Sequence, residues 1–165
     1  MINLVTTPII DKANRVPPIG IAQLASVLRH AGYKTKCFDF NSYEFDTLKV
    51  FPHKFLVSNP ESIGANAFIN SYAQIINNWV ECLLSNHPCV IGLSVIYRSM
   101  IIPSLALAME IKKSAPDVTI VMGGSVGAPS NIIMIERLLR TSSVDIIASG
   151  YGELTILEIL EALLN

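Results

Sequence analysis

Ser94 closes the apolar run Val90-Ile91-Gly92-Leu93-Ser94, and the pair Gly123-Gly124 follows a second run, Thr119-Ile120-Val121-Met122. Residues 95–122 suffice for one helix and one strand, so the two ends belong to neighbouring strands of a strand-helix-strand unit. A serine at such an end donates a hydrogen bond, and paired glycines let a flat or extended ligand approach the backbone closely. In an open parallel sheet, ligands occupy the crevice outside the carboxyl ends of the strands. Comparable positions carry Tyr97 and Arg98 just past Ser94, Ser125 and Gly127-Ala128-Pro129 past the glycine pair, and Ser149-Gly150-Tyr151-Gly152-Glu153 behind a further strand. Asp11, Lys12, Asn14 and Arg15 populate the loop after the first strand. Each glycine alone is explained by a tight turn. Together these ends describe a roomy groove with backbone N–H groups near helix starts, suited to polar or anionic parts of a ligand. The chemistry indicated is binding.

Reaction motifs are missing. There is no Gly-x-x-x-x-Gly-Lys-Ser/Thr, and Pro8-Ile9-Ile10-Asp11 after the first strand contains no glycine triplet, so neither phosphate-gripping fingerprint is present. No His-x-x-x-His or paired Cys-x-x-Cys occurs, which argues against a zinc or iron–sulfur site built by this chain. The acidic cluster and lysine of a phosphoacceptor receiver are not evident at the strand ends.

These residues are positioned by an alternation of strands and helices. Residues 2–7 read as a strand, and Pro17-Pro18 opens a helix with Ile21, Leu24, Leu28 and Ala31 at helical spacing, stopped by Gly32. Residues 34–40 and 89–96 read as the second and third strands. Ser99 is placed to cap the next helix, which carries Ile102, Leu105 and Met109 and ends before Pro116. Residues 118–122 form a fourth strand, 131–140 a helix, 144–148 a fifth strand, and a last helix starts near Glu153. This order predicts an α/β fold: a doubly wound, five-stranded parallel sheet, Rossmann-like or flavodoxin-like, flanked by helices. An insertion at about 42–88 lies between strands two and three of this single domain, 1–165. It holds an aromatic, proline-dotted stretch, read as a crossover lead-in or a lid. An amphipathic helix follows, with Tyr72, Ile75, Ile76, Trp79, Val80, Leu83 and Leu84 on one side.

At 165 residues the chain fits one domain. A net charge of -1 with 15% charged residues gives no electrostatic reason to expect nucleic acid or an anionic membrane as partner. Apolar residues make up 51% and mean hydropathy is +0.48. No apolar run approaches the roughly 20 residues that span a bilayer, so a sheet buried on both faces, together with a surface that meets a partner, is expected. The N-terminus lacks the basic region of a signal peptide. Cys37, Cys82 and Cys89 are odd in number and scattered, which points to a cytoplasmic setting without disulfides.

Nearly the whole chain resembles the cobalamin (vitamin B12) binding domain found at the N-terminus of many radical S-adenosylmethionine enzymes. The matching stretches are Pro17-Pro18-Ile19-Gly20-Ile21-Ala22-Gln23-Leu24-Ala25 with Gly32-Tyr33 and Asp39, then Ile91-Gly92-Leu93-Ser94 and Ile111-Lys112-Lys113 to Pro116. They continue through Val121-Met122-Gly123-Gly124 and Asp145-Ile146-Ile147 to Gly150-Tyr151-Gly152-Glu153, where the family usually has Gly-Glu-Gly-Glu, so Tyr151 departs from it.

The resemblance implies that a corrin ring lies over the strand ends while its nucleotide tail threads between them. Ser94, Gly123, Gly124, Ser125, Gly150, Tyr151, Gly152 and Glu153 would line the tail slot, with Tyr97 and Arg98 near the corrin edge. Where cobalamin domains of the methionine-synthase type carry Asp-x-His-x-x-Gly, this chain reads Asp11-Lys12-Ala13-Asn14-Arg15-Val16. Of its histidines, His30 falls in a helix, His53 in the insertion and His87 at a helix end. Base-off cobalamin binding with no protein histidine on cobalt is therefore expected.

Family members also carry a barrel with Cys-x-x-x-Cys-x-x-Cys, absent here, so the chain is expected to hold no iron–sulfur cluster and to have no catalysis alone. It would present its corrinoid to a radical S-adenosylmethionine domain or subunit for methyl transfer or a related radical reaction. The last helix, with Leu154, Ile156, Leu157, Ile159, Leu160, Leu163 and Leu164, is apolar around much of its circumference. It is read as sheet packing or as a contact with a partner or a second copy. The competing reading is a degenerate fold of the same type that acts as an interaction scaffold without cofactor. A flavodoxin-like module for another ligand is disfavoured by the missing Ser/Thr/Gly phosphate nest after strand one.

Overall fold

The computed structural model describes residues 1–9, 17–41 and 61–164. Asp11, Lys12, Asn14, Arg15, His53 and the lid reading of the insertion's first part lie outside the described residues. The elements are β1 (Ile2–Thr6), α1 (Ile19–His30), β2 (Thr35–Asp39), α2 (Glu61–Leu84), β3 (Val90–Ser94), α3 (Ile101–Ser114), β4 (Thr119–Gly123), α4 (Ile132–Leu139), β5 (Ile146–Ile147) and α5 (Gly152–Leu164). The strands form one sheet in the order β2-β1-β3-β4-β5, parallel at every pairing. This is the doubly wound α/β architecture expected from the sequence. The order reverses between β1 and β3, and in such sheets that reversal opens a crevice.

Burial explains the layering. Every residue of β1 is buried, as in a strand covered on both faces. Ile2, Leu4, Val90 and Val121 point to one side and pack with Ile21, Ala25 and Leu28 of α1 and Ile156 and Leu160 of α5. Val5, Ile91, Leu93, Ile120 and Met122 point to the other side, against α2, α3 and α4. The central α3 buries both its apolar faces, including Leu105, Ala106, Leu107, Ala108 and Ile111. No helix among the described residues is long and apolar enough to cross a membrane.

The structure changes several local expectations. The strands are shorter than their apolar runs, β5 being only two residues long at the sheet edge. Ser99 does not cap α3: it sits inside a 3-10 turn, Arg98–Met100, 4% exposed, and its hydroxyl lacks a partner among the described residues. That turn winds the chain before the helix starts and carries the serine inward. Ala31 lies beyond α1 and is exposed, and Ala25 takes its place in the stripe. The α2 helix begins at Glu61, well before the periodic stretch, and bends at Tyr72 (φ −133°, ψ 31°). Its first half brings fully buried Phe68 into the core, and Trp79 stacks on Phe40 at 4.9 Å between ring centroids.

Candidate functional site

Parallel register brings Thr6, Ser94 and Gly123 side by side across β1, β3 and β4, with Leu4, Gly92 and Val121 forming the row behind them. Side chains two apart on a strand share a face, so Gly92, Ser94, Gly123 and, past β5, Ala148 form a floor of very small groups on the side covered by α1 and α5. Above this floor lies a groove of about 240 Å³. Leu4, Ile21, Leu24, Val121 and Ile156 make its apolar walls, while Ser94, Ser149 and Glu153 supply its polar side chains. Ser94 makes no hydrogen bond through its hydroxyl among the described residues. The orphaned hydroxyl of buried Thr6 is its cross-strand neighbour.

Of the ten site residues expected from the sequence, Ser94, Gly123, Gly124, Gly150, Gly152 and Glu153 line this groove. Tyr97, Arg98 and Ser125 line a second cleft instead, beside Val95, Ile101 and α4. Tyr151 lines neither and is 82% exposed on the rim. The division follows from the backbone between the two spaces. Val95 N–H donates to Gly123 O at 2.8 Å, Val126 N–H to Val95 O at 3.4 Å, and Ser125 Oγ to Ile96 O at 2.8 Å. Segments 94–98 and 123–126 thus form a septum whose residues face alternate sides.

Gly124 is the pivot of that septum. Its φ is +94°, and a Cβ there would stand 2.6 Å from Val95 O, so only glycine fits without displacement. Behind β5, Thr155 Oγ1 donates to Ser149 O (3.2 Å) and Tyr151 O (3.0 Å), holding the loop into α5. Glu153 lies in the first turn of α5, where the helix dipole favours a carboxylate.

Gly92, Gly20, Leu24 and Ala148 were not singled out as site residues, yet they shape the groove. Gly92 was legible through its period-two relation to Ser94. Gly20 and Leu24 come from α1, and no pattern within one strand announces them.

Among the described residues no group of three or more His, Cys, Asp or Glu is placed to hold a metal ion. His30 ends α1 and His87 follows α2, both at the amino end of the sheet, away from the groove. The opposite, carboxyl end is rimmed by exposed apolar side chains: Ile19, Ile96, Tyr97, Ile132, Tyr151 and Leu154. Comparison of the chain with models of known families, with curated proteins and with solved structures finds no match.

Proposed function

We propose that this chain is a cobalamin-binding module that takes the corrinoid base-off, with no protein histidine on cobalt, and presents it to a radical S-adenosylmethionine domain or partner. The observation that carries this reading is the floor of Gly92, Ser94, Gly123 and Ala148 beneath the groove between α1 and α5. At about 240 Å³ the groove is smaller than the roughly 300–1,000 Å³ typical of a site for a whole small molecule. It suits one flat part of a larger ligand, here the aromatic base and sugar of the nucleotide tail. The walls of Leu4, Leu24 and Ile156 would cover the base, Ser94 would donate to the tail, and backbone N–H groups near Gly150 would face its polar atoms. When bound, cobalamin supplies a methyl-carrying or redox-active cobalt. This chain's part is to hold the tail and leave the corrin face exposed to the apolar rim, where a partner would exclude water from it.

The test is direct. Purified protein is mixed with hydroxocobalamin, desalted, and its visible spectrum recorded. Retained pigment with a base-off spectrum, unchanged by His30→Ala, His53→Ala or His87→Ala, is the expected result. Protein that elutes colourless would favour the scaffold reading. That reading draws on the apolar rim alone, since Ile96 is 52% exposed and Leu154 65% exposed.

A further inference from the structure

Polarity along the groove between α1 and α5 changes in one direction. Its inner row is Leu4, Gly92 and Val121, which offers apolar surface beside a bare backbone. Two residues further along the strands, toward their carboxyl ends, comes the row Thr6, Ser94 and Gly123. At that end the lining turns polar: Ser94 closes β3, Ser149 follows β5, and Glu153 lies in the first turn of α5. Thr6 shares the face of Leu4, two positions along β1, and so stands next to Ser94. It is 7% exposed, and its hydroxyl lacks a partner among the described residues. A buried hydroxyl left in that state is costly, so a polar group arriving at this level of the groove is favoured.

The polar groups at this end carry complementary chemistry. An ionised carboxylate only accepts hydrogen bonds, whereas a serine or threonine hydroxyl donates one and accepts others. A ligand hydroxyl has one proton to give and two lone pairs to fill. At rim level it would give its proton to Glu153 and take one from Ser94. Its second lone pair would be open to Thr6, because neighbouring strands run only about 4.8 Å apart. The inner row, widened by the missing side chain of Gly92, suits a flat apolar ring. A ring inside and a hydroxyl at the rim is the outline of a ribonucleoside. We infer that the groove reads the sugar as well as the base: the base lies against Leu4, Gly92 and Val121, and Glu153 accepts a hydrogen bond from the ribose 2′-hydroxyl, which no onward linkage occupies. Glu153 is thereby the residue that separates ribose from deoxyribose. The inference rests on the reading of this groove as the seat of a nucleotide tail and adds the group that recognises its sugar.

Benzimidazole riboside and benzimidazole 2′-deoxyriboside are titrated separately into the full chain while amide resonances are followed by NMR. The riboside should shift residues 92–94 and 149–156 in a saturable way. It should bind about tenfold more tightly than the deoxyriboside, as a hydrogen bond to a charged group allows. Glu153→Ala should remove that preference by weakening the riboside alone. The preference itself is read in the parent, so the test does not depend on how the variant folds. Equal binding of the two nucleosides, no saturable shift at about 10 mM, shifts outside the groove, or a preference that survives in folded Glu153→Ala would each overturn the inference. Hydroxocobalamin retention separates it from the corrinoid reading. Pigment retained by a parent that does not discriminate the sugars overturns the inference and leaves that reading standing; discrimination without retained pigment does the reverse.

Discussion

Gly20 and Gly124 border the same groove, yet a side chain added at each meets a different fate. At Gly20 a Cβ has nothing within 4 Å, so Gly20→Phe grows into open space and obstructs the groove from the α1 side. Ser94→Leu raises the floor from the opposite wall. Both variants should keep the circular dichroism and unfolding midpoint of the parent while losing at least about tenfold in hydroxocobalamin retention; normal retention in both would remove the groove assignment. Gly124→Val is a different experiment. A β-branched residue at φ +94° against Val95 O should destabilise the domain by about 2 kcal/mol or more, visible in urea unfolding, whatever it does to ligand. Cys37 reports on pH. Cys37 is exposed, yet the desolvation its thiol retains beside α1 pushes it above its ordinary value, opposed by the nearby Arg29 guanidinium. The fold therefore favours the protonated thiol, so this contribution is whole below about pH 9 and fades as pH rises through the higher folded value. The unfolding midpoint of the parent should fall more steeply above pH 9 than that of Cys37→Ala; parallel profiles would show that the thiol is not linked to folding.

At the scale of elements, two polar fastenings set the sheet in place beneath the groove. Asn3, fully buried in β1, donates through Nδ2 to Leu83 O at 2.8 Å and to Asn86 Oδ1 at 3.1 Å, tying the end of α2 to the central strand. Asn3→Ala leaves the buried Leu83 carbonyl and the half-buried Asn86 side chain short of a donor. A loss of about 1–3 kcal/mol in chemical denaturation is expected; a change below about 0.5 kcal/mol, the usual span of a neutral surface substitution, would show that the clamp is not structural. The second fastening holds the edge. Asp145 Oδ2 pairs with Lys112 Nζ at 2.8 Å and accepts from Ile120 N–H at 2.7 Å, so α3, β4 and the short β5 meet at one carboxylate. Lys112 was legible as a basic residue in the last turn of a helix. Its reach to β5 depends on strand order, which no local pattern encodes.

For the molecule as a whole, the carboxyl end gathers the groove, the second cleft and the apolar rim, while the amino end holds His30, His87 and the chain reversals. A ligand that binds the folded chain and not the unfolded one stabilises it by mass action, about 2.7 kcal/mol at a hundredfold excess over Kd. For a domain of this size, that corresponds to a midpoint rise of roughly 5–10 °C. Hydroxocobalamin should produce such a rise in the parent and not in Ser94→Leu. An equal rise in both would mean that the pigment binds elsewhere. The α5 helix divides between two environments: Ile156 and Leu160 are buried against the sheet, whereas Leu154, Leu163 and Leu164 stay exposed. Its apolar circumference was plain in the sequence, and the proportion left uncovered was not.

The sequence by itself determined the alternation of strands and helices, the parallel sheet and the small residues at the strand ends, because hydrophobic period and chain punctuation are local properties. It also placed Ser94 and Gly123 on adjacent strands. Tertiary structure alone decided which face each rim residue looks toward. The pleat sends successive side chains to opposite sides, and the turn after β3 sets the phase, so Ser94 borders the groove while Tyr97 and Arg98 border the cleft behind it. It likewise brought Gly20 and Leu24 of α1 over the floor laid by β3 and β4, because helix packing across a sheet joins residues far apart in the chain.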